Sequence, residues 1–470
     1  MIKTKDVHEY IDEHRSESLE ALKAFLRIPS ISAQSEHSDD IWDAAKFTLQ
    51  QLLSAGLENT GLIANGSHPL VYGDWLHAPN KPTILIYGHY DVQPTDPDNK
   101  WHSKPFEPEI RDNKIYARGA TDDKGQILGL ILALQSIHAV KGNFPVNIRV
   151  LVEGEEEFGG TAIEKYVKEH AKDIACDAVL IADTHMLAPG LPAIVYGVRG
   201  ILYAEIVAKG ADHDLHSGTY GGVAPNPLHS LALIIASLKG ADGHINIPGL
   251  EELANPVTDE ERQWWAQYPL DMRKQLASEM GLPFDSKAPE KTYFPGEQEY
   301  SLVERMSARA TFEVHGFVGG YQGEGAKTVI PAEARVKISL RLSPNQTAEK
   351  VLPLLKKQVK KIAPKGVDVE VQLIHGGLGM VVDPHDPYIH AAVQSLGDEY
   401  QHDVYFLREG GSIPVAPLFA EYLHAPIVFA GYGLATECLH SPNEHFQLDN
   451  FYHAIHGCVR YLDAASHIEK

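Results

Sequence analysis

Cysteine is scarce in this chain. Its 470 residues include three, Cys176, Cys438 and Cys458. They are odd in number and widely spaced, with no CxxC pair, which excludes a disulfide framework and a cysteine-ligated zinc site and points to a reducing compartment. All three read as packing residues. Positive charge is also short: 41 basic residues against 63 acidic ones leave a formal net charge of -22. That balance disfavours nucleic acid and anionic membrane surfaces as partners and suits cation binding. No run of eighteen apolar residues occurs, and the opening stretch MIKTKDVHEYIDEHRSESLEALKAFLRIPSIS reads as a charged amphipathic helix without an apolar secretory core. Together these absences predict a soluble, cytoplasmic protein. There is no internal repeat and no low-complexity linker, yet the chain is too long for one core, so two domains or one domain with an insertion are expected.

What is present alternates between strand and helix, which predicts an α/β architecture with a mostly parallel sheet. TILIYGHYDV is followed by KIYARGATDDKG, the helix QILGLILALQSIHAV, the strand NIRVLVEG, the helix TAIEKYVKEHA and the strand DAVLIADT. A further buried strand, APIVFAGYG, comes late. Residues 202–382 differ, reading β-α-β-β-α-β from LYAEIVAK to VDVEVQLI, the order of a ferredoxin-like domain. The expected organisation is a catalytic domain from 1–201 and 383–470 interrupted by an inserted domain at 202–382. Residues 240–300 form an embellishment in which Trp264 and Trp265 read as packing residues.

Polar residues recur where these strands end. His89 and Asp91 close the first; Glu155, Glu156 and Glu157 follow the second in EGEEEFGG; Asp183 follows the third, and His440 lies in the loop after the last. In open α/β sheets such positions converge on the crevice outside the carboxyl ends of the strands. Residues two apart on a strand share a side, so Asp91 is placed to accept the second N–H of a His89 imidazole and fix its orientation. Taken singly, Asp122 or Asp123 reads as a helix cap and EGEEEFGG as a solvated acidic turn. In company, two histidines and three carboxylates suit two divalent ions that share one carboxylate, with zinc, cobalt or manganese fitting the mixed N and O donors. Adjacent glutamates would let one hold metal while the other moves protons.

The motifs GHYDVQP, ARGATDDKGQ, EGEEEFGG, LIADT, YGVRG, DLHSGTYGG, AKTVIP, SLRLSPN, REGGSIPV and LHSPNE, in this order, resemble those of the M20 metallopeptidases, and within them the dipeptidase branch. The resemblance spans nearly the whole chain. It implies a zinc-peptidase catalytic domain with an inserted ferredoxin-like lid, and two divalent ions per chain, Zn2+ foremost with Mn2+ or Co2+ as alternatives. Asp122 would bridge the ions, His89 and Asp183 would complete one site, and Glu157 and His440 the other. Glu156 becomes the general base, Asp91 the support of His89, and the Asp122–Asp123 peptide is expected to be cis. The lid would form a homodimer interface and send His216 into the partner's active site to stabilise the oxyanion, with Thr328 also reaching across. Arg341, Gly411 and Ser412 match positions that bind the carboxylate or backbone of a small peptide substrate; the guanidinium fork of an arginine suits a carboxylate. Aspartate rather than glutamate at 183 favours a dipeptidase over the family's N-acyl amino acid deacylases, desuccinylases and carboxypeptidases. A catalytically silent metal-binding homologue is the reading from another class.

Overall fold

In the computed structural model, which describes residues 4–411 and 413–469, the strand Thr83–His89 is buried at every position after the first. A strand covered on both faces shows no polar alternation, which is why TILIYG reads as one apolar run. It pairs in parallel with Asn147–Glu153 on one side and Ala178–Ile181 on the other, and Ile427–Phe429 runs parallel to Ala178–Ile181. The expected parallel sheet is therefore present, and its carboxyl ends carry His89, the EGEEEFGG turn and Asp183. Its margins are antiparallel. Leu70–Trp75 and Glu58–Ile63 extend one side, and Ala193–Val198 the other. Helix Lys124–Lys141 is buried on nearly all sides over its first three turns. It lies so close to helix Leu448–Ala465 that a Cβ at Gly129 would stand 2.9 Å from that of Ala454.

One expected element differs. KIYARGATDDKG supplies no strand to the parallel sheet; only Lys114–Tyr116 is extended, and it pairs with Glu109–Arg111 and His445–Gln447 in a separate three-stranded antiparallel sheet. Three residues ending at Tyr116, just before the chain turns into the glycine-containing Arg118–Asp122 segment, are too few to cross a central sheet. The consequence is functional, because the His445↔Tyr116 pairing lays the chain after His440 beside the chain before Asp122.

Two compact units emerge: Met1–Tyr196 with Val382–Leu407 and Pro414–Lys470, and Gly197–Val381 with Arg408–Ile413. The short second piece follows Arg199, whose backbone N–H donates to Gly411 O (3.0 Å) and whose Nε donates to Gly410 O (3.1 Å). The second unit carries the expected β-α-β-β-α-β order. Strands Gly200–Lys209, Thr311–Gly319, Glu333–Leu342 and Asp368–Gly377 form one antiparallel sheet, ordered Thr311–Gly319, Glu333–Leu342, Gly200–Lys209, Asp368–Gly377. Helices Pro227–Leu238 and Ala348–Ile362 cover the face bearing Leu202, Ile206, Val336 and Leu340. The 240–300 embellishment includes helix Asp259–Ala266, opened by a Thr258/Glu261 capping box, in which Trp265 is buried.

Candidate metal centre and active site

His89 ends its strand with a fully buried side chain. Its backbone N–H donates to Asp123 Oδ2 (3.2 Å), and Nδ1 lies 3.1 Å from Asp91 O and 3.4 Å from Asp91 Oδ1. Asp91 thus supports the ring first through its carbonyl, while its Oδ2 accepts the N–H of Glu157 (3.1 Å). The other ring nitrogen, Nε2, is buried without a hydrogen-bond partner, 3.2 Å from Asp122 Oδ1 and 3.7 Å from Asp183 Oδ2. On the far side of the same carboxylate, Asp122 Oδ2 lies 2.9 Å from His440 Nε2, which stands 3.3 Å from Glu157 Oε2. Asp122 therefore presents one oxygen to each of two donor groups, His89–Asp122–Asp183 and Asp122–Glu157–His440.

These groups fit divalent ions. Donors about 2.0–2.1 Å from a tetrahedral zinc stand roughly 3.3 Å from one another, close to the spacings seen across both groups. The orphaned His89 Nε2 is a buried lone pair aimed at carboxylates, a costly arrangement unless a cation or proton lies between. Charge tells the same story. Burial, reinforced by Asp122, pushes the Glu157 carboxyl up to about 7, and burial together with Asp183 and Glu157 holds Glu156 well above the usual range. Asp122 is buried too, yet its hydrogen bonds with His440 and His89 carry it well below. Hydrogen bonds to Asp122 and Glu157 raise His440 to about 11. Crowded carboxylates recruit protons when no cation is present, so cation uptake here must displace protons.

The three glutamates of EGEEEFGG divide sharply. Glu155 faces inward, accepting from His68 N (2.8 Å) and from Ala162 N (3.1 Å) at the start of helix Ala162–His170. Glu156 and Glu157 lie on the turn that follows, with Glu156 under the influence of His89, Asp183 and Asp122. The Asp122–Asp123 peptide is cis, as the motif implied.

Sequence reasoning missed several supports. Gln93, two residues beyond Asp91, donates to Glu157 O and Oε2 at 2.9 and 2.8 Å. Glu153, hydrogen-bonded to Tyr87, lies opposite His89 in the parallel ladder, and burial raises it to about 8. Arg118 and Glu444 form a buried ion pair at 2.8 Å, of a kind whose one-sided removal costs about 3–5 kcal/mol. The quoted motifs contained Gln93, Arg118 and Glu444, but nothing in a linear motif says which polar residue faces inward.

The second unit carries the remaining predicted residues. His216 and Thr328 come together: Leu215–His216 pairs with Val329–Ile330, and Ser217 N donates to Thr328 O (3.1 Å). His216 and Thr328 are both exposed, and His216 Nδ1 accepts from Gly218 N (3.0 Å). Arg341 lies on strand Glu333–Leu342; burial lowers the pKa of both His375 and Arg199, and the charge of Arg341 lowers both further. Gly411 is exposed, held through its carbonyl by Arg199, and Ser412 lies outside the described residues. A third donor group, His244, Glu297 and Glu299, is less apt for a cation because both Glu297 oxygens already accept from Arg309 (2.7 and 2.8 Å).

With this geometry in hand, the chain belongs to peptidase family M20/M25/M40, whose model matches residues 85–464. It is 30% identical to a Cys-Gly metallodipeptidase of Saccharomyces cerevisiae, over 97% of each chain. Its structure is similar to that of human carnosine dipeptidase 1, with a TM-score of 0.85, 26% identity and full coverage of both chains. It is also similar to an M20 family metallo-carboxypeptidase from Sulfolobus solfataricus, with a TM-score of 0.83 and 31% identity over 96% of this chain and 100% of that one. The full-length likeness to dipeptidases assigns this enzyme to the metallodipeptidase branch of the family.

Proposed function

We propose that the protein hydrolyses the peptide bond of dipeptides with free amino and carboxyl termini, using two divalent ions that share Asp122. The observation that carries this reading is the Asp122 carboxylate, with one oxygen facing His89 and the other facing His440. When bound, the ions supply Lewis acidity, which lowers the pKa of water and polarises a carbonyl. Glu156 is the general base: it takes a proton from the attacking water and delivers it to the leaving amine. Its half-buried setting among carboxylates suits it to hold that proton between the two steps. Asp91 keeps the His89 ring oriented. Arg341 binds the substrate carboxylate, aided by Gly411 and Ser412, while the partner subunit's His216 stabilises the developing oxyanion of a homodimeric enzyme and the partner's Thr328 reaches across to the substrate. Zn2+ is the preferred ion and Mn2+ or Co2+ its substitutes. The cytoplasm is the proposed location, consistent with three free cysteines among the described residues.

Carboxypeptidase activity is the second reading, favoured by the 31% identity to the Sulfolobus metallo-carboxypeptidase; Asp183 weighs against it and against N-acyl deacylation. A silent metal-binding homologue would have no use for Glu156 beside the donor groups. One experiment separates these. Metal-loaded protein is assayed on free dipeptides, including Cys-Gly and β-Ala-His, on N-acyl amino acids and on longer N-blocked peptides, with bound metal counted. Dipeptide turnover at two ions per chain, abolished by chelation, is expected. Preference for blocked substrates would install the second reading, and full activity with one ion or none would sink the two-ion mechanism.

A further inference from the structure

His440 comes from no helix or strand. It sits in the 430–444 loop with left-handed backbone (φ 54°), and its side chain is 56% exposed. Cys438 and Asn443, at φ 59° and 68°, are left-handed as well. Non-glycine residues hold such conformations only where their surroundings over-determine them. Two fully buried carboxylates, Glu437 and Glu444, one before and one after His440 in the chain, tie this loop down. Glu437 accepts Thr121 Oγ1 at 2.7 Å and the N–H groups of Leu434 and Gln447, both at 2.9 Å. Glu444 accepts Arg118 Nη1 (2.8 Å) and Gly119 N (2.9 Å) on Oε2, and Thr121 N (3.1 Å) and Asp122 N (3.2 Å) on Oε1. Glu444 O also accepts from Ala117 N (3.1 Å). Each contact closes the loop on itself, ties it to the adjoining strand His445–Gln447 or ties it to residues 117–122. Neither carboxylate belongs to a donor group.

We propose that Glu437 and Glu444 are positioning residues that set the affinity of the ion held by Asp122, Glu157 and His440, by fixing the His440 loop against the backbone of Asp122. This rests on the two-ion reading above. The other ion's remaining ligands have separate supports: His89 ends a central strand and is held by Asp91 and Asp123, and Asp183 follows the strand Ala178–Ile181. The two affinities should therefore be separable. In Glu444→Gln, an amide NH2 would face N–H donors that the carboxylate accepts, so the loop must move. Thr121→Val breaks the link to Glu437 without changing charge.

The test is titration of metal-free wild type, Glu444→Gln, Glu437→Gln and Thr121→Val with Co2+, followed by calorimetry and by the visible absorption of the bound ion, with circular dichroism to establish folding. Wild type should take two ions. In each variant one dissociation constant should rise at least about tenfold while the other stays within about threefold. Equal weakening of both ions, or of neither, overturns the proposal. Should Glu444→Gln fail to fold, Thr121→Val decides by the same criterion. Fewer than two ions in wild type would instead fell the two-ion reading, so the two failures are distinguishable.

Discussion

Glu156 and Glu157 are chain neighbours with different surroundings, and the difference predicts different losses. Glu157 lies 3.3 Å from His440, and its side chain is 4% exposed, so an amide there removes a charged ligand. Glu156 belongs to neither donor group but answers to the charges of both. Glu156→Gln should keep two ions and lower kcat by at least about 100-fold, the scale of losing a general acid–base. Glu157→Gln should lose an ion on gel filtration and regain activity at high metal concentration. Metal analysis and kcat measured on the same preparations check both, and the reverse pattern would exchange the roles. The neighbouring Glu155 shows why identity alone is insufficient: the same residue type, one position earlier, caps the start of a helix.

Between residue and domain, the junction of the Arg118–Asp122 segment with helix Lys124–Lys141 decides whether Asp122 is in place. A Cβ at Gly125 would lie 2.0 Å from Ala120 O and 2.8 Å from the Phe446 ring. Gly125→Ala must therefore displace backbone rather than a pliant side chain; it should cost at least the 1–3 kcal/mol typical of overpacking and weaken metal binding with it. Gly142→Ala, at the other end of the same helix, meets nothing within 4 Å and strains only its own φ of 70°, so about 1 kcal/mol should be lost and metal binding retained. Urea unfolding of the metal-free proteins and Co2+ titration compare the two. The same scale separates what was legible in the sequence from what was not. TILIYG and AVLI are almost wholly apolar and NIRVLVE largely so because both faces of a parallel sheet are covered, and a His or Asp at the end of such a run stands out. Leu70–Trp75 was not read because VYGDW interrupts its apolar residues with glycine and aspartate, although Asp74 is buried and accepts from Asn59 and Tyr72. The Glu437 and Glu444 supports were hidden for another reason: the contacts that tie them to residues 118–122 span more than 300 residues of sequence, and local patterns carry no such information.

At the scale of the whole molecule, the proposed homodimer requires the second unit to complete the active site of another copy. Its edge strand Thr311–Gly319 leaves Val314, Phe317 and Val318 between 38% and 55% exposed, an apolar, unpaired edge of the kind that association covers. His216 is exposed on the same unit, its Nδ1 accepting a local hydrogen bond from Gly218 N (3.0 Å). If His216 serves the partner's Glu156, then His216→Ala and Glu156→Ala should each be nearly inactive as homodimers, yet their mixture should recover. One site of a mixed dimer receives both defects; the other receives an intact Glu156 from one chain and an intact His216 from the other. Random exchange of equal amounts makes half the dimers mixed, each with one good site of two, so isologous pairing predicts about a quarter of wild-type activity. Co-expression or co-refolding of the two variants, with size-exclusion chromatography to verify exchange, reads this directly. A monomeric protein, or mixed dimers that stay inactive, would mean that His216 acts within its own chain or takes no part in the reaction.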